Sequence, residues 1–191
     1  MPDVDFRGYS GDCLIQGTLD VPDGMRLTDF MNDADEIIVR AATLRALSDG
    51  HVVAAGDQTV SVEELWAIEP TDPPNAGDLR VSTRSTEVAI DLDPYSVNGF
   101  LHAVSAGDPF AALHRRKRMV PMTDAVITFN YAGNDRRHEA GVLIFNREMA
   151  KSVERVMYQR GAIDDMGIGP VDERARDLTG QIRTEPAPPE G

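Results

Sequence analysis

The stretch Ile15-Gln16-Gly17-Thr18-Leu19-Asp20-Val21-Pro22-Asp23-Gly24-Met25-Arg26-Leu27-Thr28-Asp29-Phe30-Met31-Asn32 decides how the rest of the 191-residue chain is read. Ile15, Leu19 and Val21 stand at near-alternate positions, the period of a strand with one buried face. Pro22-Asp23-Gly24 follows as a turn, with Pro presetting its backbone angle and Gly accepting a positive φ. Leu27, Phe30 and Met31 then fall at i, i+3 and i+4, the spacing of a short helix with Thr28 or Asp29 as capping residue. One or two turns of helix are unstable alone in water, so this helix has to pack on a sheet.

Outward from this unit, residues 1–12 are polar and glycine-containing, a lead-in strand or coil. Residues 36–44 read as a second strand and Ser48-Asp49-Gly50 as a turn. Residues 51–55 and 59–62 are short β-branched segments split by Gly56-Asp57, a hairpin signal, and residues 63–68 close the unit. Residues 71–78 are rich in turn formers and poor in apolar side chains, the composition of a linker. Beyond it the pattern recurs. Residues 87–93 alternate as a strand, and Val97-Asn98-Gly99-Phe100-Leu101 aligns with Ile15-Gln16-Gly17-Thr18-Leu19. Phe110 and Leu113 take the places of Leu27 and Phe30, and Val120, Met122, Ala125, Val126 and Ile127 those of Ile37, Val39, Ala42, Thr43 and Leu44. Val142-Leu143-Ile144-Phe145 answers to the late strand near Val60 and Val62. The repeat implies duplication of a unit of about 65 residues rather than a solenoid, which needs about three copies. The expectation is a mostly β protein with short helices (α+β), built as two tandem small bent-sheet or barrel-like domains. The first covers residues 1–70, a linker 71–86, and the second 87–160. Residues 154–158 extend a helix that starts near Arg147, and residues 161–191 form a mobile acidic tail.

Gly17-Thr18-Leu19, Pro22, Gly24, Arg26-Leu27-Thr28-Asp29-Phe30-Met31-Asn32 and Ile37-Ile38-Val39 resemble a family of short bacterial domains of unknown function. In that family a strand leads to an Arg-Leu-Ser-Asp-x-Leu-Asn type segment and then to buried strands. The resemblance covers residues 13–69 well and residues 97–153 loosely, through Gly99, Phe110, Leu113, Asp124 and Ala125. It implies a small, strongly bent sheet or barrel with one short helix, and it brings no activity, substrate or cofactor.

Composition narrows the function classes. The apolar fraction of 41% is enough for a core, and the longest apolar runs fall far short of the roughly 20 residues that cross a bilayer, so no membrane span is expected. The acidic N-terminus and the single Cys13, which permits no internal disulfide, place the chain in the cytoplasm as a sequence-based expectation. Cys13 opens an apolar strand and reads as a structural thiol. His51, His102, His114 and His138 lie far apart without a ligand motif, so no metal and no cofactor are expected. No nucleophile elbow, phosphate loop or dinucleotide fingerprint is present, which argues against an enzyme. A cyclic-dinucleotide receptor of the PilZ type needs an acid or amide two positions before its serine. Pro94-Tyr95-Ser96-Val97-Asn98-Gly99 has none.

The formal net charge of −13 is unevenly spread: residues 1–80 hold 16 acids and 5 bases, residues 100–160 hold 6 acids and 10 bases. Asn32-Asp33-Ala34-Asp35-Glu36 in the first copy corresponds to Arg115-Arg116-Lys117-Arg118-Met119 in the second, one loop with its sign reversed. Four consecutive cations repel one another and gain from an acidic partner. The favoured function is therefore a cytoplasmic interaction or regulatory module. Its Arg115, Arg116, Lys117 and Arg118, aided by Phe110, dock on an acidic protein surface or on another copy of the chain. The alternative is a nucleotide- or RNA-binding small barrel in which the basic run works beside Phe110, Phe129 and Tyr131, opposed by the overall negative charge.

Overall fold

The computed structural model describes residues 3–71, 83–104, 107–113 and 115–156. They build a mostly β fold with one large antiparallel sheet and few helices. Strands β1 (Asp3–Ser10) and β2 (Cys13–Asp20) form a hairpin, followed by helix α1 (Leu27–Asp33), β3 (Glu36–Ala46), β4 (Val52–Ser61), a 3₁₀ turn (Val62–Glu64) and β5 (Leu65–Pro70). The second series is β6 (Thr83–Leu92), β7 (Tyr95–Val104), α2 (Pro109–Leu113), β8 (Met119–Tyr131), β9 (Asn134–Asn146) and β10 (Ser152–Arg155). No helix among the described residues is long and apolar enough to cross a membrane.

The ten strands follow the order β10-β6-β7-β8-β9-β5-β1-β2-β3-β4. Each series thus arranges itself alike, its last strand beside its first and the others in chain sequence. The series meet where β5 pairs with β9 through Ala67↔Phe145 and Ile68↔Ile144. Of the bent-sheet or barrel-like forms expected, the barrel is not formed: among the described residues the sheet is not closed, β5 bonds β9 on the side away from β1, and β4 and β10 each have one neighbour.

The register shifts have the same chemistry in both series. The β2–β3 register shifts at Gly17, opposite Ala41 at φ 46°, and the β7–β8 register shifts at Gly99, near Asp124 at φ 48°. A Cβ on Gly17 would lie 2.8 Å from the carbonyl oxygen of Arg40 and 2.5 Å from Cγ1 of Val39. One on Gly99 would lie 3.0 Å from the carbonyl oxygen of Thr123 and 2.6 Å from Cε of Met122. The backbones approach too closely at these register shifts for any side chain, which is why a glycine stands at each.

The buried side chains form two clusters. Phe6, Ile15, Leu19, Val21, Leu27, Met31, Ile37 and Val39 form one core cluster, completed by Met119 and Ile144 from the second series. Val88, Ile90, Tyr95, Val97, Leu101, Met122 and Ile127 belong to the other, which takes in Tyr9, Leu47 and Ala67 from the first. Each cluster borrows side chains across the β5–β9 seam, and the described residues fall within one compact unit.

Other expectations shift. Arg26 stands at the N-cap of α1 with no side-chain capping bond, and Thr28 and Asp29 lie inside the helix. The segment expected as a helix from Arg147 contains β10, which pairs with β6 through Ser152↔Asp91 and Val153↔Ile90. Strand β6 begins inside the span expected as linker. Residues 72–82 of that linker and the expected tail at 161–191 lie outside the described residues.

Candidate functional site

The basic run sits between α2 and β8, and most of it has partners. The Lys117 Nζ lies 2.7 Å from the Asp33 Oδ1, a contact that holds the ammonium above the usual lysine range. Arg118 donates to the Ala34 carbonyl at 3.2 Å and lies 3.5 Å from Glu63 Oε1. Arg116 donates to the carbonyl of His102, and burial lowers its guanidinium from the ordinary arginine value. Beside them, the Asn32 side chain accepts from the Met119 N–H at 2.8 Å and donates to the Met119 carbonyl at 2.9 Å. The loop with reversed sign in the first series is thus the surface that the basic loop touches. Exposed ion pairs contribute about 0–1 kcal/mol each, so the paired Asn32 bonds are the more durable part of this clasp. Arg115 is exposed and makes no ion pair or hydrogen bond among the described residues. Phe110 stands apart from the clasp in α2, half-buried, with the Arg155 guanidinium 5.0 Å from its ring centroid and Arg155 also paired with Asp108.

A second group of cations, far apart along the chain, converges elsewhere. Strand register places Arg7 opposite Gln16, Tyr9 opposite Leu14, and Leu14 opposite Arg45, so one face of β1, β2 and β3 presents all five. Across from it, β8 and β9 pair Phe129 with Arg136 and Ile127 with His138 on one face, and Tyr131 follows Phe129 at the next same-side position. Together these walls enclose a cleft of about 360 Å³, lined by Arg7, Tyr9, Leu14, Gln16, Arg45, Phe129, Tyr131, Arg136, Arg137 and His138. No carboxylate is among them. Arg137 pairs with Glu139 at 2.7 Å, whereas Arg45 and Arg136 are exposed and make no ion pair or hydrogen bond among the described residues.

Three of the lining side chains, Arg7, Tyr9 and His138, share one buried carboxylate outside the lining. Glu69, 8% exposed, lies opposite Arg7 in the β1–β5 ladder. Its oxygens accept from Arg7 Nη1 at 3.2 Å and from the Tyr9 hydroxyl at 3.4 Å, and lie 2.8 and 2.9 Å from His138 Nε2. A buried carboxylate needs such donors. Burial and then the charge of Glu69 push the Tyr9 phenol far up, so it stays a donor. His138 Nε2 is also 2.8 Å from Arg7 Nη1, and its Nδ1 is 3.4 Å from the same nitrogen. Protonated, Nε2 donates to Glu69; unprotonated, it accepts from Arg7. In either state the imidazole bridges Glu69 and Arg7 at the cleft lining.

The far wall is anchored as well. Ala132 N–H donates to the Leu47 carbonyl at 2.8 Å and the Tyr131 hydroxyl to the Gly50 carbonyl at 3.4 Å, tying the tip of the β8–β9 hairpin to the turn after β3. Phe129 packs edge-on to Tyr9, with centroids 5.9 Å apart, and tilted to Tyr95 at 5.5 Å. The arrangement suits gripping an anion between guanidinium groups on two rigid walls. Comparison of the chain with protein-family models, with curated proteins and with solved structures finds no significant match in any of the three.

Proposed function

We propose that the chain is a cytoplasmic, non-enzymatic binding module that takes a small anionic ligand in the arginine-lined cleft. In this reading its two series are tandem copies of one small bent-sheet unit, of the kind the resemblance over residues 13–69 implies. The observation that carries the ligand site is the lining itself. A chain of net charge −13 gathers Arg7, Arg45, Arg136 and Arg137 around one cleft with no acid facing it. Arg45 and Arg136 have no compensating carboxylate, and charge-assisted bonds to a bound anion supply one. The volume is within the range of small-ligand sites.

The basic loop takes a different role. The acidic surface on which Lys117 and Arg118 dock is the chain's own loop at Asp33 and Ala34, with Glu63 beside it. We therefore assign the loop to holding the two series together.

Calorimetric titration with inorganic pyrophosphate tests the ligand site. The wild type binds with a saturable isotherm, and Arg45→Ala and Arg136→Ala each weaken binding by about tenfold or more, as loss of a charge-assisted bond of about 1.5–3 kcal/mol requires. Absence of binding by the wild type, or wild-type affinity in both variants, overturns the assignment.

A further inference from the structure

We infer that the anion taken by this cleft is carried on a planar ring, making the ligand a nucleoside phosphate, an inference that rests on the cleft being an anion site. The reason lies in how the lining alternates. Arg136 stands directly across the ladder from Phe129, so the guanidinium and the aromatic side chain leave the sheet side by side on one face. Tyr131, two residues on, extends the apolar wall and is half-buried, its hydroxyl tied back to the Gly50 carbonyl at 3.4 Å so that the ring is held in place. Gly50 makes that approach possible, since a Cβ there would come within 2.8 Å of the tyrosine oxygen. Facing these rings, Leu14 adds apolar surface and Gln16 an exposed amide that both donates and accepts. Arg45 and Arg7 bring further positive charge to the same cleft.

A bare inorganic anion uses the guanidinium groups and leaves untouched the parts of Tyr131, Phe129, Leu14 and Gln16 that line the cleft, although the first three also pack against the core. A ligand with phosphate at one end and a heteroaromatic base at the other uses both. Every base has a π-face for an aromatic wall, and an amide can pair with the polar edge of a base. The phosphates belong with Arg45 and Arg136, and the base belongs against Tyr131.

The test compares ligands with the same phosphate chain, using the full chain in calorimetry: ADP, GDP and inorganic pyrophosphate. At least one nucleotide binds about tenfold or more tighter than pyrophosphate, the range expected for one base stacked on an aromatic side chain. Tyr131→Ala removes that advantage and leaves pyrophosphate affinity within about twofold, while Tyr131→Phe, which keeps the ring, retains the advantage. Nucleotides no tighter than pyrophosphate, with Arg136→Ala weakening all three, overturn the ring inference and leave the anion site standing. Failure of all three ligands to bind removes the anion site and this inference with it.

Discussion

At the scale of single residues, two glycines occupy the register shifts and one cysteine reports on its surroundings. Gly17→Ala and Gly99→Ala each place a methyl group against a carbonyl oxygen of the neighbouring strand, 2.8 and 3.0 Å away before relaxation. Each is expected to destabilise the chain by about 1–3 kcal/mol in urea unfolding, with little change in the dependence on denaturant. Substitution without measurable loss would mean that the register shifts do not depend on this close approach. Cys13 is half-buried at the start of β2, and burial, helped by the charge of Asp12, pushes its thiol up to about 11. Thiolate is therefore about one part in a thousand at pH 8, and alkylation of the native chain should accelerate about tenfold per pH unit up to pH 10. A rate that levels off near pH 9 contradicts this. Gly17 and Gly99 were legible in the sequence because each follows an apolar-polar pair and precedes a partly apolar strand. The left-handed Ala41 and Asp124 opposite them were not, since nothing about alanine announces a positive φ.

At the scale of elements, the clasp between the α2–β8 loop and the end of α1 joins the two series on one side of the β5–β9 seam. Asn32→Ala leaves the N–H and carbonyl of Met119, a residue 2% exposed, without their partners. It is expected to cost about 1–3 kcal/mol, more than Lys117→Ala, whose exposed pair with Asp33 contributes about 0–1 kcal/mol. Equal costs, read from parallel urea titrations, would mean that the ionic contacts carry the clasp. The reversed charges of these loops could be read from the sequence, and so could β2 and β3, but the segments 51–55 and 59–62, expected to be split by a hairpin at Gly56-Asp57, are one continuous strand, β4, because its pairing with β3 runs past that signal. What could not be read was the neutral amide that makes the two-bond contact. The strand at Ser152–Arg155 was missed for a related reason. Met149, Val153 and Met157 sit four apart, as on a helix, but the open edge of β6 offers the segment a ladder to join, and tertiary pairing overrides the local pattern.

At the scale of the whole molecule, the candidate site exists only because two series of strands meet. Arg7, Arg45 and Arg136 are separated by long stretches of sequence, and each alone reads as an ordinary surface cation. Their convergence depends on the register of β1, β2 and β3, on the β8–β9 ladder, and on the seam that brings them together. The conspicuous cations at 115–118 drew attention because they are consecutive, yet Lys117 and Arg118 are engaged with acids and a carbonyl of the same chain. The central claim is that the scattered arginines, not the consecutive ones, receive the anion. Nitrogen-resolved NMR of the arginine side chains during titration with pyrophosphate reads this directly. The account predicts that the Nε resonances of Arg45 and Arg136 move with a common saturating curve while those of Arg115 and Arg118 stay in place. Movement confined to Arg115, Arg116 and Arg118 would contradict it and return the binding role to the basic loop.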